Sequence, residues 1–520
     1  MTTTPKIYDT TLRDGTQGTG ISYSVLDKIR IAEKLDQFGV HYIEGGWPGS
    51  NPKDVEFFRE ARQRTWKHAR IAAFGSTRRG DIAVEEDPQL RTLLEAETPV
   101  VTIVGKSWLL HVQEILKVSP DENRAMIRES IAHLKSHGRE VFYDAEHFFD
   151  GYKDNPEYAV STIRGAVEAG VDLPILCDTN GGTLPEEIEA IVRDVIAKIG
   201  TPVGIHTHND TGLGVANALA AVRAGAVQVQ GTINGYGERT GNCNLTSVMP
   251  TLVLKMGRPV VPDISRLREL SLFVDEVANH PHDIHAPYVG TTAFAHKGGI
   301  HVNAVQKLAR SYEHIRPEEV GNRQVILVSE LSGQSNILLK AQALGFTLEK
   351  GSPEVAKILK RIKEQEAIGY EYEAADGSLD LLIRRTLGIG RAPFELLEYH
   401  TTFRQSGGDA CNTCEATVKL LVDGRKEYTV EEGNGPVDAL AAALRKALRT
   451  VHPCVDRFRL EDYKVRIVDG KQGTAARTRV LIDSTDGSTT WSTVGVSDNI
   501  IKASWLALVD AIEYRLRGRD

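Results

Sequence analysis

Cysteine is scarce in this sequence, which contains five in 520 residues. So few thiols cannot supply the disulfide framework of a small secreted domain, and they suit a reducing compartment. Cys411 and Cys414 form a C-x-x-C motif, with His452 and Cys454 downstream as possible zinc partners. A single C-x-x-C is weak evidence for a metal site. The sequence therefore favours ordinary thiols over a structural metal here.

Long apolar runs and basic runs are also missing. No stretch approaches the roughly 20 apolar residues of a membrane helix, and the first apolar strand begins about six residues from Met1, too early for a targeting peptide. The 62 Lys and Arg are outnumbered by 70 Asp and Glu, which gives a net charge of -8. Phosphate backbones need a basic surface. We therefore expect a cytoplasmic protein that binds neither nucleic acid nor membranes.

Eight short, apolar, β-branched runs in the first half of the chain predict β-strands. In order they are KIYD, VHYIEGG, RIAAF, PVVTIVG, EVFYD, LPILCD, PVGIHTH and AVQVQGTING. Segments with helical periodicity lie between most of them, for example 26–38 and 185–199. Eight strand–helix units within about 250 residues match an α/β fold of the (β/α)8 TIM-barrel type. We predict a catalytic barrel over residues 1–262, although another eight-stranded doubly wound sheet would give the same pattern.

The remaining chain predicts two further regions. Helical segments and a His-rich loop indicate a helical accessory region over 263–390. Residues 391–520 predict a C-terminal α+β regulatory domain built from a βαβ-type repeat, because EATVKLLVDGRKEYTVEEGNGPVDALAAALRKAL is echoed by TRVLIDSTDGSTTWSTVGVSDNIIKASWLALVDAI. Two related halves normally pack about a pseudo-twofold axis with a cleft between them. This domain would bind a ligand, or serve only for dimerisation.

Polar side chains recur at the predicted carboxyl ends of the barrel strands, where TIM barrels place their reactive groups. They are Arg13, Asp14, Glu44, Glu146, His147, Asp178, Thr179, His206, His208, Glu238, Arg239 and Asn242. Residues with only structural roles would be scattered over both ends of the barrel and its outer helices. The clustering therefore predicts a functional site on one rim.

His206 and His208 are two residues apart on a predicted strand, so both imidazoles point to the same face. With Asp14 and the amide of Asn242 they form a nitrogen and oxygen ligand set without thiolates. Such a set suits Mn²⁺, Mg²⁺, Co²⁺ or Zn²⁺ with open coordination positions. A 2-oxo acid could chelate that ion, and Arg13 could stabilise the alkoxide formed on attack. A rim salt bridge is the alternative role for Arg13.

Three long motifs resemble the isopropylmalate, homocitrate and citramalate synthase family of metal-dependent TIM-barrel enzymes. They are DTTLRDGTQG, GIHTHNDTGLGVANALAAVRAGAVQVQGTINGYGERTGN and HKGGIHVNAV. The C-terminal repeat resembles the family's domain for feedback inhibition by an amino acid. The resemblance implies a homodimeric acyltransferase that uses a divalent metal to condense acetyl-CoA with a 2-oxo acid.

The identity of the 2-oxo acid is narrowed by DTTLRDGTQGTGISYS, YIEGGWPGSNPKD and YDAEHFFDGY, which look most like the pyruvate-using branch. Thr16 stands where isopropylmalate synthases usually have Glu. The resemblance implies pyruvate as acceptor, (R)-citramalate as product and isoleucine as inhibitor, with 2-oxoisovalerate and 2-oxoglutarate as alternative acceptors. A biotin-dependent carboxyltransferase is disfavoured because a Met-Lys-Met segment is missing. A non-catalytic amino-acid sensor is disfavoured because the metal ligands are present.

The resemblance also implies individual roles. Asp14, His206 and His208 would bind the metal with Asn242, Arg13 would hold the keto oxygen, and Thr179 the substrate carboxylate. Glu146 and His301 would act at the acetyl methyl group, and His301 would reach it from the neighbouring subunit. Tyr312 and Asn303 would contact the substrate. The family often has Asp at position 303. The effector would bind near the loops that contain Gly435, Pro436, Gly495 and Ser497.

Overall fold

The computed structural model describes residues 3–328, 333–404, 413–469, 473 and 475–517. The chain forms two compact units. The first extends to Phe294 and includes Ile315–Arg323, and the second contains Ala295–His314 and the chain from Gln324 onward. The predicted boundaries at 262 and 390 stay predictions. Among the helices described, none is long and apolar enough to span a membrane.

The first unit contains a closed barrel of eight parallel strands in chain order, which confirms the predicted TIM barrel. The strands are β1 (Lys6–Asp9), β2 (Tyr42–Gly46), β3 (Arg70–Ser76), β4 (Val100–Lys106), β5 (Glu140–Glu146), β6 (Leu173–Asp178), β7 (Gly204–Thr207) and β8 (Gln228–Gly231). β8 pairs with β1 and closes the barrel. All eight apolar runs of the sequence form strands because each is buried on both faces, as parallel strands require.

Helices follow most strands and cover the barrel. They are α1 (Val25–Phe38), α2 (Pro52–Ala61), α3 (Pro88–Glu95), α4 (Pro120–Ser136), α5 (Phe148–Asp154), α6 (Pro156–Glu168), α7 (Pro185–Ile199), α8 (Gly214–Ala224), α9 (Leu245–Pro250) and α10 (Leu267–Val277). α1 begins with a capping box between Ser24 and Asp27 and ends at Gly39, whose φ of 97° favours glycine. The main core lies between these helices and the barrel.

The second unit is helical at first and then alternates sheets with helices. Its elements are β9 (Ala295–His296), α11 (Gly299–Lys307), β10 (Val325–Ile326), α12 (Gln334–Ala343), α13 (Pro353–Ala367), α14 (Asp376–Leu387), β11 (Glu395–Arg404), β12 (Thr413–Val422), β13 (Arg425–Gly433), α15 (Pro436–Leu448), β14 (Arg459–Ile467), β15 (Thr478–Thr485), β16 (Thr490–Ser497) and α16 (Ile500–Arg517). β11–β13 and β14–β16 form two antiparallel sheets. Each copy of the repeat thus has three strands before its helix, one more than the sequence pattern predicts. The extra strands, β11 and β14, are mostly exposed, so neither forms a continuous apolar run in the sequence.

A buried ion pair fixes the turn after β2. The ammonium group of Lys28 on α1 pairs with Asp54 on α2, and the two side chains are 4% and 7% exposed. Lys28 Nζ also donates to the carbonyl of Gly45 at 3.0 Å, while Asp54 Oδ2 accepts the backbone N–H of Trp47 at 2.8 Å. The position of Trp47 therefore depends on a charge that has almost no access to water.

Replacing Lys28 by Met should destabilise the protein strongly because it leaves the Asp54 carboxylate buried without its cation. We expect a loss of about 3–5 kcal/mol in the free energy of unfolding, measured by chemical denaturation. Lys34→Met on the same helix is the matched control. Lys34 pairs with Glu269, which is 52% exposed, so that variant should lose no more than about 1 kcal/mol. Equal losses in the two variants would contradict this account.

Candidate active site

Four predicted metal ligands meet at the carboxyl ends of the barrel strands. Asp14 follows β1, His206 lies in β7 with His208 directly after it, and Asn242 lies in the loop after β8; all four are buried. The Nε2 atom of His206 is 3.3 Å from Nε2 of His208 and 3.8 Å from Oδ2 of Asp14. Asn242 Nδ2 donates to Asp14 Oδ1 at 2.9 Å. The barrel thus brings together side chains that are 228 residues apart in sequence.

These residues fit a divalent cation. One ligand atom each from Asp14, His206 and His208 lies within 4.8 Å of the others, and Asn242 Oδ1 is buried without a hydrogen-bond partner. Burial opposes ionisation of Asp14, but Arg13 and the two imidazoles outweigh it and lower its pKa to about 2. Burial, followed by the neighbouring His206, lowers the pKa of His208 to about 3. An ionised carboxylate and neutral imidazoles are the forms that bind metals.

A second layer of polar groups orients His206. Its Nδ1 atom is 2.9 Å from Oε1 of Gln230, and Gln230 Nε2 donates to Oδ1 of Asp144 at 3.1 Å. An amide oxygen only accepts hydrogen bonds, so Nδ1 of His206 carries the proton and its Nε2 keeps a lone pair toward Asp14. The sequence analysis missed Gln230 and Asp144. The alternation in AVQVQG, which places both glutamines on one strand face, was the available signal.

Arg13 is held between two carboxylates. Its Nε donates to Glu44 Oε1 at 2.6 Å and its Nη1 to Asp14 Oδ2 at 2.9 Å. The guanidinium carbon lies 3.8 Å from the centre of the Phe74 ring. A guanidinium group has five N–H donors, so this salt bridge leaves donors for a substrate oxygen. Both roles predicted for Arg13 are compatible with its position.

A cavity of about 180 Å³ opens onto this cluster. Its lining contains seven predicted residues, Arg13, Asp14, Glu146, Thr179, His206, His208 and Glu238. It also contains six that the sequence analysis did not select, Gln17, Trp47, Phe74, Val104, Asp144 and Cys177. Most of these six lie at or near the carboxyl ends of β2 to β6, so the strand-end rule could have found them. Trp47, Phe74 and Val104 are apolar, and the rule applied to the strand ends selects polar side chains.

Glu146 and Thr179 have defined partners at the rim of the cavity. Glu146 forms an ion pair with Lys106, the last residue of β4. The Thr179 hydroxyl oxygen accepts the backbone N–H of His147 at 2.9 Å. Arg239 Nη2 donates to the carbonyl of Thr179 at 2.7 Å. Both side chains therefore line the cavity while bonded to neighbouring groups of the barrel rim.

Three family models match successive parts of the chain. The HMGL-like family model matches residues 4–274, a homocitrate synthase post-HMGL domain-like model matches 288–369, and the LeuA allosteric (dimerisation) domain model matches 373–516. The (R)-citramalate synthase of Aquifex aeolicus is 54% identical over 98% of this chain and 97% of its own. The (R)-citramalate synthase of Geobacter sulfurreducens is 52% identical over 99% and 98%. The chain belongs to the (R)-citramalate synthase family.

Other synthases are more distant. The probable 2-isopropylmalate synthase of Methanopyrus kandleri is 32% identical over 99% of both chains. Membership in the (R)-citramalate synthase family makes the protein an acyltransferase, with a divalent metal and acetyl-CoA as the implied cofactor and co-substrate.

The remaining predicted catalytic residues of this synthase-family chain lie in the second unit. The rings of His301 and Tyr312 stack with centroids 4.4 Å apart and planes inclined by 30°. His301 is exposed, Tyr312 is 47% exposed and Asn303 is half-buried. The pair is thus presented to solvent on the surface of its own unit. The roles of these three residues stay predictions.

The predicted regulatory residues lie in the LeuA domain. Gly435 precedes α15, Pro436 is its first residue, and Gly495 and Ser497 belong to β16. A cavity of about 320 Å³ in this domain is lined instead by their neighbours and by the helices, including Val437, Asp438, Arg445, Trp491, Leu508 and Ile512. Of the possible zinc ligands, Cys411 lies outside the described residues, and Cys414 and Cys454 are free.

Replacing Gln230 by Leu should weaken metal binding. The variant keeps the side-chain volume but loses the acceptor that fixes the proton on His206 Nδ1, and such second-layer changes typically cost about 10–100-fold in affinity. Titration calorimetry with Mn²⁺ measures the change. Gln228→Leu is the control, because Gln228 lies on the same strand and neither of its side-chain polar atoms has a partner. Unaltered affinity in Gln230→Leu would contradict the proposed orientation of His206.

Proposed function

We propose that this chain condenses acetyl-CoA with pyruvate and water to give (R)-citramalate and CoA, the first step of a route from pyruvate to isoleucine. The observation that carries the proposal is the joint position of Arg13, Asp14, His206 and His208 in one cavity. A cation site beside a fixed guanidinium group is suited to a 2-oxo acid. The names of the two most similar relatives quoted above favour pyruvate over larger acceptors.

The cavity offers each part of pyruvate a different surface. The Thr179 side chain faces the cavity from the end of β6 and is assigned to the carboxylate, and Arg13 is assigned to the keto oxygen. Trp47 and Phe74, whose rings are 5.5 Å apart, form an apolar wall with Val104. This wall suits the methyl group of pyruvate. The branched side chain of 2-oxoisovalerate would fill more of this cavity of about 180 Å³ than the methyl group of pyruvate does.

The metal would be held by Asp14, His206 and His208, with Asn242 as a further ligand through its unpartnered oxygen. When bound, such an ion polarises a chelated keto group and makes its carbon electrophilic. Arg13 then stabilises the negative charge that develops on the former keto oxygen. Its guanidinium needs no reorganisation because Glu44 and Asp14 already hold it.

The acetyl methyl group must lose a proton before it can attack. Its pKa lies far above 7, so a base has to act together with groups that stabilise the enolate. Glu146 is one of the carboxylates that line the cavity, and we assign it this step with His301. The enolate carbon bonds to the keto carbon of pyruvate. Water then hydrolyses the citramalyl-CoA thioester, releasing CoA as the thiol and leaving citramalate with two carboxylates.

A second copy of the chain would supply His301. The exposed His301–Tyr312 pair belongs to the second unit, while Glu146 and the metal ligands belong to the first. The match to the LeuA allosteric (dimerisation) domain supports a dimer in which the second copy is the partner. In a symmetric dimer each subunit can give its His301 to the other's cavity and receive one in return. Tyr312 would keep the imidazole in place by stacking, and Asn303 would contact substrate from the same helix as His301.

Isoleucine is the proposed inhibitor. The cavity of about 320 Å³ in the LeuA domain combines apolar side chains with Asp438, Arg445 and Arg459. An aliphatic amino acid has the matching parts, a branched apolar side chain, an ammonium group and a carboxylate. Gly435 and Pro436 lead directly into this lining through Val437. Gly495 and Ser497 are assigned to the same regulatory surface of the repeat.

The reaction is tested by following free thiol release from acetyl-CoA with the purified full-length protein and Mn²⁺. Pyruvate, 2-oxobutyrate, 2-oxoisovalerate and 2-oxoglutarate are offered separately, with and without EDTA and isoleucine. We expect release to be fastest with pyruvate, to stop with EDTA and to slow with isoleucine. Faster release with another acceptor would change the assigned substrate, and absence of release with all four would overturn the proposed condensation.

The dimeric site is tested by mixing two inactive variants. Arg13→Ala and His301→Ala are each expected to abolish turnover as homodimers. A heterodimer of the two contains one site with both native residues if His301 acts across the interface, so mixing after mild denaturation and refolding should restore activity. If His301 served its own subunit, both sites of the heterodimer would stay defective. A co-refolded mixture without recovered activity would therefore contradict action in trans, and wild type refolded in the same way is the control.

A further inference from the structure

A second group of metal-binding side chains lies beside the proposed active site. One ligand atom each from His111, Glu146 and His147 lies within 4.8 Å of the others. Glu146 is the last residue of β5, His147 follows it, and His111 begins a short π-helical turn, His111–Leu116, after β4. None of the three belongs to the Asp14, His206 and His208 cluster. Two imidazoles and one carboxylate are a ligand set that binds zinc with an open fourth position.

The two imidazoles have unsatisfied nitrogen atoms. Nδ1 of His111 and Nδ1 of His147 are both buried without a hydrogen-bond partner. The nearest carboxylate oxygen to His147 Nδ1, Oδ2 of Asp150, is 3.7 Å away, which is too far for a hydrogen bond. Leaving buried polar atoms unpaired is unfavourable. A cation bound to either Nδ1 atom would remove this cost at that ring.

The position of the rings is fixed by neighbouring groups. The ring centroids of His111 and His147 are 4.2 Å apart, and the indole of Trp108 stacks on His111 at 5.2 Å. The backbone N–H of His147 is bonded to Thr179. Burial, followed by His147, lowers the pKa of His111, so its neutral form is available as a ligand at neutral pH.

We propose that His111, Glu146 and His147 form an inhibitory zinc site, separate from the metal site of the reaction. This proposal rests on the proposed function because Glu146 is assigned there to the acetyl methyl group. Zinc bound to its carboxylate displaces Lys106 and removes the base from the reaction. Imidazole ligands favour Zn²⁺ over Mn²⁺ or Mg²⁺. When Mn²⁺ saturates the site formed by Asp14, His206 and His208, added zinc binds the second site and inhibits the enzyme.

The site is tested first by zinc stoichiometry in the full-length protein. Titration calorimetry and metal analysis after gel filtration should find one zinc fewer per chain in His111→Ala than in wild type. His147→Asn is the second variant, because Asn tolerates the left-handed φ of 53° at this position. His133→Ala is the control. His133 also has a neighbouring imidazole, His137 at 4.6 Å, but this pair lacks a third ligand among the described residues.

Inhibition provides a readout that separates the two proposals. With saturating Mn²⁺, the zinc concentration that halves CoA release should rise at least about ten-fold in His111→Ala, while activity without zinc stays near that of wild type. His133→Ala should be inhibited like wild type. Equal zinc content and equal inhibition in His111→Ala and wild type would overturn the zinc site. Absence of CoA release from every protein would overturn the proposed reaction and leave the zinc stoichiometry as the test of the site.

Discussion

The buried carboxylate of Glu44 is the constraint on which the rest of the active site depends. Glu44 is fully buried, and a charge in that position needs partners on every side. Its two oxygens accept hydrogen bonds from Tyr8 at 2.6 Å, Thr10 at 2.5 Å and Arg13 at 2.6 Å. Arg13 in turn holds Asp14. The orientation of Asp14, a proposed metal ligand, thus depends on Glu44, to which it is linked through Arg13.

The same network limits how much negative charge the barrel interior carries. Burial, followed by the nearby Glu44, raises the pKa of Asp144 to about 8, so this carboxyl group is mostly protonated at neutral pH. Gln230 links Asp144 to His206. Because Asp144 is largely neutral, the relay fixes the tautomer of His206 without adding a full charge beside Asp14. Among the proposed ligands of the cation, only Asp14 carries a formal negative charge, and it is also paired with Arg13. A site with so little negative charge suits an ion that must also bind an anionic substrate.

Sequence reasoning recovered what depends on local pattern and missed what depends on register. Apolar runs identified every barrel strand, and the strand-end rule placed Asp14, His206 and His208 on one rim. Gln230 was missed because its role follows from its alignment opposite His206 across β7 and β8, and a single sequence does not contain that pairing. Strands β11 and β14 were missed because both are mostly exposed, so neither contains a continuous apolar run. The stacking of His301 on Tyr312 joins positions 11 residues apart, across the end of a helix, and no periodicity predicts it.

The accessibility of the Glu146 side chain connects its proposed role as a base with its proposed binding of zinc. A base for the acetyl methyl group has to face an open cavity, and the Glu146 side chain is 25% exposed. His147 follows it directly in sequence and His111 approaches from the loop after β4. A carboxylate beside two neutral imidazoles can serve as a base or as part of a chelating set. Lys106 favours the first state, since its ammonium group competes with any cation for the same oxygen atoms. The ion pair between Lys106 and Glu146 therefore determines whether Glu146 serves as a base or as a metal ligand.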